Sequence, residues 1–313
     1  VVSHGTIVID SGAYASGITL NDAGMTVKGT LDDLTVTPQN GDVYAVYIDG
    51  GTVSNIVLSQ GQVAVYNSGS VHNDRIESGS IEYIIGKSNG LATSYEADIH
   101  SGGQLSAYRN GATVISATVE AGGQAQILSS AQASGMIVNG TMTVDSLGSA
   151  DGTRLLSGGL LTIGSGSLSQ NASVSSGGRL FLSSGGTGSN TQISSGGLET
   201  IFSGALESGG TVSDGLLTIS SGGSAVHMPL TAGSGSDYAV VSSGGVISDT
   251  VIAGPDSSAS QSSVLTVGSG GTAYNTIASH SYMTISEGGY ASGVTLNDAG
   301  LYVYGAAENV TLN

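Results

Sequence analysis

Eleven residues near the start of the chain, Tyr14-Ala15-Ser16-Gly17-Ile18-Thr19-Leu20-Asn21-Asp22-Ala23-Gly24, return near its end as Tyr290-Ala291-Ser292-Gly293-Val294-Thr295-Leu296-Asn297-Asp298-Ala299-Gly300. A chain that repeats itself folds as a repeat, so this recurrence constrains the architecture before any local propensity does. Between the two ends runs a degenerate unit of about 19 residues. It is clearest from Leu160 to Gly178 and from Arg179 to Gly197, both of which close on Ser-Gly-Gly. Sixteen unit starts can be placed between Thr6 and Leu301, about 20 residues apart on average.

Inside a unit the apolar residues alternate, as a half-buried strand requires. The first strand carries pairs such as Ile7/Ile9, Leu161/Ile163, Leu180/Leu182, Leu217/Ile219, Leu265/Val267 and Met283/Ile285. A second pair begins 11 residues after the first member: Ile18/Leu20, Ala172/Val174, Thr191/Ile193, Thr276/Ala278, Val294/Leu296. The offset persists where the total length of the unit changes. The path between the two strands is therefore geometrically fixed, while the return path is free to grow. Gly17, Asn171, Asn190, Asp249, Asn275 and Gly293 stand just before the second pair and are residues that tolerate φ > 0, as a sharp corner needs. Thr162, Thr218, Thr266 and Thr284 fall between the inward residues of strand one, which predicts an outward ladder of β-branched side chains.

A hairpin-built sandwich also uses short strands at similar spacing, but it has no reason to hold one strand-to-strand offset through every unit. A solenoid does, because each coil stacks on the last. The expectation is an all-β chain: one parallel β-helix over residues 1–313, of about 16 coils, more degenerate over 1–159 and regular over 160–313. At about 4.8 Å per coil it would be a rod roughly 75 Å long. The composition agrees. Gly, Ser and Thr are poor in helix interiors, and there are 52 glycines, while 39% hydrophobic residues give a core something to bury.

Charge narrows the partners. With 23 acids against 6 bases the net charge is -17, so there is no positive field for a phosphate backbone, and an anionic leaflet repels the chain. No apolar run approaches the roughly 20 residues of a membrane helix. The opening Val1-Val2-Ser3-His4-Gly5 has no basic n-region, which places any signal peptide outside this sequence. The absence of cysteine removes disulfides, thiolate metal sites and cysteine nucleophiles together.

Parallel β-helices include polysaccharide lyases and hydrolases, which need two or more carboxylates on one face or a poised cationic base. Asp32-Asp33 is the only acidic dipeptide, and its side chains point to opposite faces; after Arg179 there is no Lys or Arg. His4, His72, His100, His227 and His280 show no metal-ligand spacing and read as turn or surface residues. The stretch Gly185 to Ile193 imitates a calcium nonapeptide but has Asn190 where the aspartate belongs, and it does not recur with a nine-residue period. No catalytic residue, metal site or cofactor is expected. Two long return paths, 231–237 and 253–262, follow the second strand of adjacent coils. Thr231, Ser234, Asp237, Pro255, Asp256 and Ser257 are therefore candidates for a projecting interaction corner, with a third irregular stretch at 86–101.

Units such as Gly185-Gly-Thr-Gly-Ser-Asn-Thr-Gln-Ile-Ser-Ser-Gly-Gly197 and Gly270-Gly-Thr-Ala-Tyr-Asn-Thr-Ile277 resemble the AIDA-type repeats of self-associating autotransporters: the AIDA adhesin, TibA and antigen 43. The likeness is best from Leu160 to Asn313. It implies a right-handed β-helical passenger, displayed on the surface of a Gram-negative cell and exported through an outer-membrane barrel that lies outside this sequence. It implies adhesion by rod-to-rod contact with copies of itself, aggregation, biofilm growth and contact with host cells or their glycans. It also implies O-heptosylation of serines by a partner glycosyltransferase. A carbohydrate-active β-helix enzyme is the alternative expectation.

Overall fold

The computed structural model describes every residue except 38–45, 88–89, 176, 184, 195, 203, 221, 233–235 and 256–262. Among the described residues there is no helix, and the chain winds as a parallel β-solenoid of about 15 turns with about 19 residues per turn. Two compact units divide it, Val1–Thr153 and Arg154–Asn313. Each turn gives one strand to a first sheet, and one bent strand or two short ones to a second sheet.

In the first unit, first-sheet strands run from Thr6–Ile9 to Thr141–Asp145; in the second unit, from Leu160–Ile163 to Gly300–Val303. Pairings between successive turns are parallel, with Leu161 opposite Leu180 and Leu265 opposite Met283. The one antiparallel contact among the described residues is the bridge between Lys87 and Gly90, in the irregular stretch at 86–101. Elsewhere that stretch forms strands Ala92–Tyr95 and Asp98–Ile99. Period-two patterning produces this arrangement directly. Leu161, Leu180, Leu217, Ala239, Leu265 and Met283 form one inward column, fully or almost fully buried, and Ile163, Leu182, Ile201, Ile219, Val241, Val267 and Ile285 form the next. Each such aliphatic contributes about 1.5–3 kcal/mol on burial, so the stacked columns stabilise the fold despite a narrow core.

The corners explain the glycine content. Asn171 (φ 52°), Asn190 (φ 61°), Asp249 (φ 54°) and Asn275 (φ 49°) are left-handed, as are Gly17 and Gly293. The same geometry is imposed on Ser116 and His227 (φ 57° and 56°), residue types that do not by themselves signal such a corner. The asparagines also tie turns together: Asn190 Nδ2 donates to Asn171 Oδ1 at 2.8 Å, and Asn275 Nδ2 to Asp249 Oδ1 at 3.0 Å. In the Ser-Gly-Gly corner the two glycines serve different needs. Gly177 takes φ +82° in open space, whereas a Cβ on Gly178 would stand 2.6 Å from the Leu155 carbonyl oxygen of the turn below.

Candidate functional site

The alternation that buries one side of each strand presents the other. In the second unit Thr162, Phe181, Thr200, Thr218, Val240, Thr266, Thr284 and Tyr302 lie directly opposite one another in register, one per turn. The four threonines singled out from the sequence occupy this single outward column. Phe181, Thr200, Val240 and Tyr302 were not anticipated there, although each follows from its place in its own unit. A parallel outward column two residues earlier holds Leu198, Leu216, Tyr238, Val264 and Tyr282. Leu216, Tyr238, Tyr282 and Tyr302 are between 36% and 51% exposed, a high value for large apolar side chains.

The corner candidates separate. Thr231 and Pro255 are exposed; Ser234, Asp256 and Ser257 lie outside the described residues. Asp237 is not on a projecting loop. It opens strand Asp237–Val241 at an inward position and is fully buried, because period two continues through it to Ala239 and Val241. Its carboxylate accepts from the Asp214 amide and lies 2.9 Å from Ser263 Oγ, while burial raises its pKa above the usual carboxylate range. Ser263 Oγ accepts from the Ala232 amide at 3.0 Å and lies 2.8 Å from the Ala253 carbonyl. Asp237 and Ser263 thus form a polar anchor beneath both long corners.

Sequence reasoning sought carboxylates on the outside and missed those inside. Glu199 occupies the inward column between Leu180 and Leu217, and Glu207 occupies the inward column of the second sheet in the same turn. Both are fully buried. Gly188 makes room for Glu207: any Cβ there would collide with Glu207 Oε2. Glu207 Oε1 accepts from the Thr191 amide at 3.2 Å, but neither oxygen of Glu199 has a donor among the described residues. Burial, reinforced by the Glu207 carboxylate, pushes Glu199 well above the usual range, and burial pushes Glu207 up to about 7. A proton shared between the two supplies the missing donor. The first unit repeats the device. Glu82 sits inward between Val63 and Leu105, with Asp74 from the preceding turn beside it, and both carboxyls are raised chiefly by burial. Ser94 Oγ donates weakly to Glu82 Oε2 at 3.5 Å. The signal was legible: aligned with Leu160-Leu161-Thr162-Ile163, the segment Leu198-Glu199-Thr200-Ile201 places a glutamate where the pattern demands an aliphatic. Sealed from solvent, these carboxyls cannot meet a polymer substrate.

Outside, His4, His100 and His280 lie 3.5, 3.0 and 3.7 Å from Asp22, Asp98 and Asp298, and the His72 ring stacks on Tyr95 at 4.5 Å. No group of three or more His, Cys, Asp or Glu side chains among the described residues converges on a metal position. A cleft of about 770 Å³ in the first unit is lined by Ser68, Ser70, Lys87, Thr93, Tyr95 and Asn110, with no carboxylate in its wall. No helix of the described residues is long and apolar enough to cross a membrane.

Fold and surface together define a parallel β-solenoid with an aliphatic interior and outer faces of stacked threonine, tyrosine and aliphatic side chains. Among solved structures, a hyperglycosylated fragment of TibA, modified by TibC, has the same fold. The TM-score is 0.68 at 22% identity, covering 97% of this chain and 100% of that one. No protein-family model and no curated protein matches the sequence.

Proposed function

We propose that this chain is an adhesin-like autotransporter passenger that associates with copies of itself at the cell surface. The observation that supports this most is the turn-by-turn register of outward residues, which lays the outward side chains of successive turns over one another on the sheet faces. The repeat resemblance and the shared fold of the TibA fragment agree with it. Such faces bind by many weak contacts, and display of many copies per cell multiplies them through avidity. Aggregation and biofilm growth follow from contacts of this kind between cells, and host-cell adhesion would use the same outer surface. The TibA fragment was glycosylated by TibC; serines at the exposed corners of this chain are the corresponding acceptors for O-linked sugar.

The net charge of -17 opposes self-contact, and screening shortens that repulsion to about 10 Å at 0.1 M salt. Sedimentation analysis at two salt concentrations should show concentration-dependent association that strengthens with salt. A chain that stays monomeric at every concentration and both salt levels would remove the proposal.

A further inference from the structure

The exposed acids of the second unit are not spread evenly. Asp249, Glu287 and Asp298 stand at corners and Glu308 lies on the second sheet. The outward side of the first sheet from Leu198 onward carries none among the described residues. Its two columns read Leu198, Leu216, Tyr238, Val264, Tyr282 and Thr200, Thr218, Val240, Thr266, Thr284. The residues that follow each strand are Phe202, Ser220, Ser242, Gly268 and Ser286, also uncharged. In a chain of net charge -17 this is a window through which two copies can approach without apposing carboxylates.

We infer that this face, centred on Leu216, Thr218, Tyr238, Thr266 and Tyr282, is the surface on which a second copy of the chain docks. The inference rests on the self-association proposed above and assigns its location. An isologous two-fold contact lets each copy present the same patch, so one neutral face suffices for both. Contiguous exposed apolar side chains are what interaction surfaces display, and tyrosines supply contact area at small entropic cost. The dimensions set the strength. Five strands at about 4.8 Å span about 24 Å, and three outward rows are about 15 Å wide, so each copy buries about 360 Å² and the pair about 720 Å². That falls below the roughly 1,200–2,000 Å² of stable complexes, and it matches a weak contact that acts through many copies.

The test compares three full-length proteins by sedimentation in the same high-salt buffer: the wild type, Thr218→Glu/Thr266→Glu on this face, and Thr272→Glu/Thr295→Glu on the second sheet. The two variants carry the same added charge, and matched thermal melts establish that both remain folded. The face variant should raise the dissociation constant at least tenfold, while the second-sheet variant should change it less than threefold. If the wild type associates and both variants weaken it equally, or neither does, the face is wrong while self-association stands. If the wild type never associates, the underlying proposal has failed instead. A soluble β-linked oligosaccharide that quenches the tyrosine fluorescence of the wild type, but not of the face variant, without any protein association would assign the face to glycan and overturn the inference.

Discussion

The Glu199–Glu207 pair gives the solenoid a stability that depends on pH in an uncommon direction. Most paired carboxylates are held below their unfolded pKa and fail in acid. Glu207 is instead held at about 7 against an ordinary value of 4.5, because burial penalises its charged form. Below pH 4.5 the carboxyl is protonated in both the folded and the open turn, and its contribution is complete. Between about 4.5 and 7 the open turn releases the proton while the folded turn retains it, so stability falls as pH rises through the folded value. At about 1.36 kcal/mol per unit, the loss approaches 3 kcal/mol by pH 8. Burial, with the Glu207 carboxylate beside it, raises Glu199 as well, so its contribution has the same sign. Repeat arrays open locally, so the sensitive assay is amide hydrogen exchange over 187–213, corrected for intrinsic rates. Protection there should fall about 70-fold between pH 5 and pH 8. Glu199→Gln/Glu207→Gln removes both titrating groups, and the same segment should then change by less than about threefold. The segment around Asp74 and Glu82 should keep its pH dependence in that variant, because its own pair is untouched. Equal pH dependence over 187–213 in the wild type and the double variant would refute the reasoning.

Packing and corner geometry make further predictions. Leu180→Ala, in the middle of the inward column, should cost about 2–5 kcal/mol in denaturant unfolding, whereas Thr218→Ala on the outward column should stay within about 0.5 kcal/mol. Gly178→Ala should destabilise more than Gly177→Ala: the first collides with the Leu155 carbonyl, and the second meets only an unfavourable φ, costing about 1–2 kcal/mol. Melting temperatures of the two variants decide the order. Asn171→Gly should lose the hydrogen bond from Asn190, about 1 kcal/mol, while Asn171→Val, forced into φ 52°, should lose distinctly more in the same melt.

The outward surface was only partly readable in advance. The threonine column could be anticipated because it shares the period of the buried residues; Phe181, Val240 and Tyr302 follow the same period within their units, but their joining one column with the threonines shows only when turns are laid in register. Asp237 was misplaced for a related reason. In the chain it closes a stretch of Gly and Ser, while in space it opens a strand and anchors Ser263. Glu199 and Glu207 lie eight residues apart in sequence, and nothing local announces that opposite walls of one turn bring them together.

By itself, then, the chain determined the solenoid. A period of two within strands, one fixed offset between them and conformationally permissive corner residues are local properties, and together they allow only stacked parallel turns. What tertiary structure alone decided is which residues share a turn's interior and which share a face. Those neighbours come from pairing between turns, about 19 residues apart along the chain. Their consequences, such as a proton held between two buried carboxyls or an acid-free sheet face, depend on distance and dielectric, and a linear pattern carries neither.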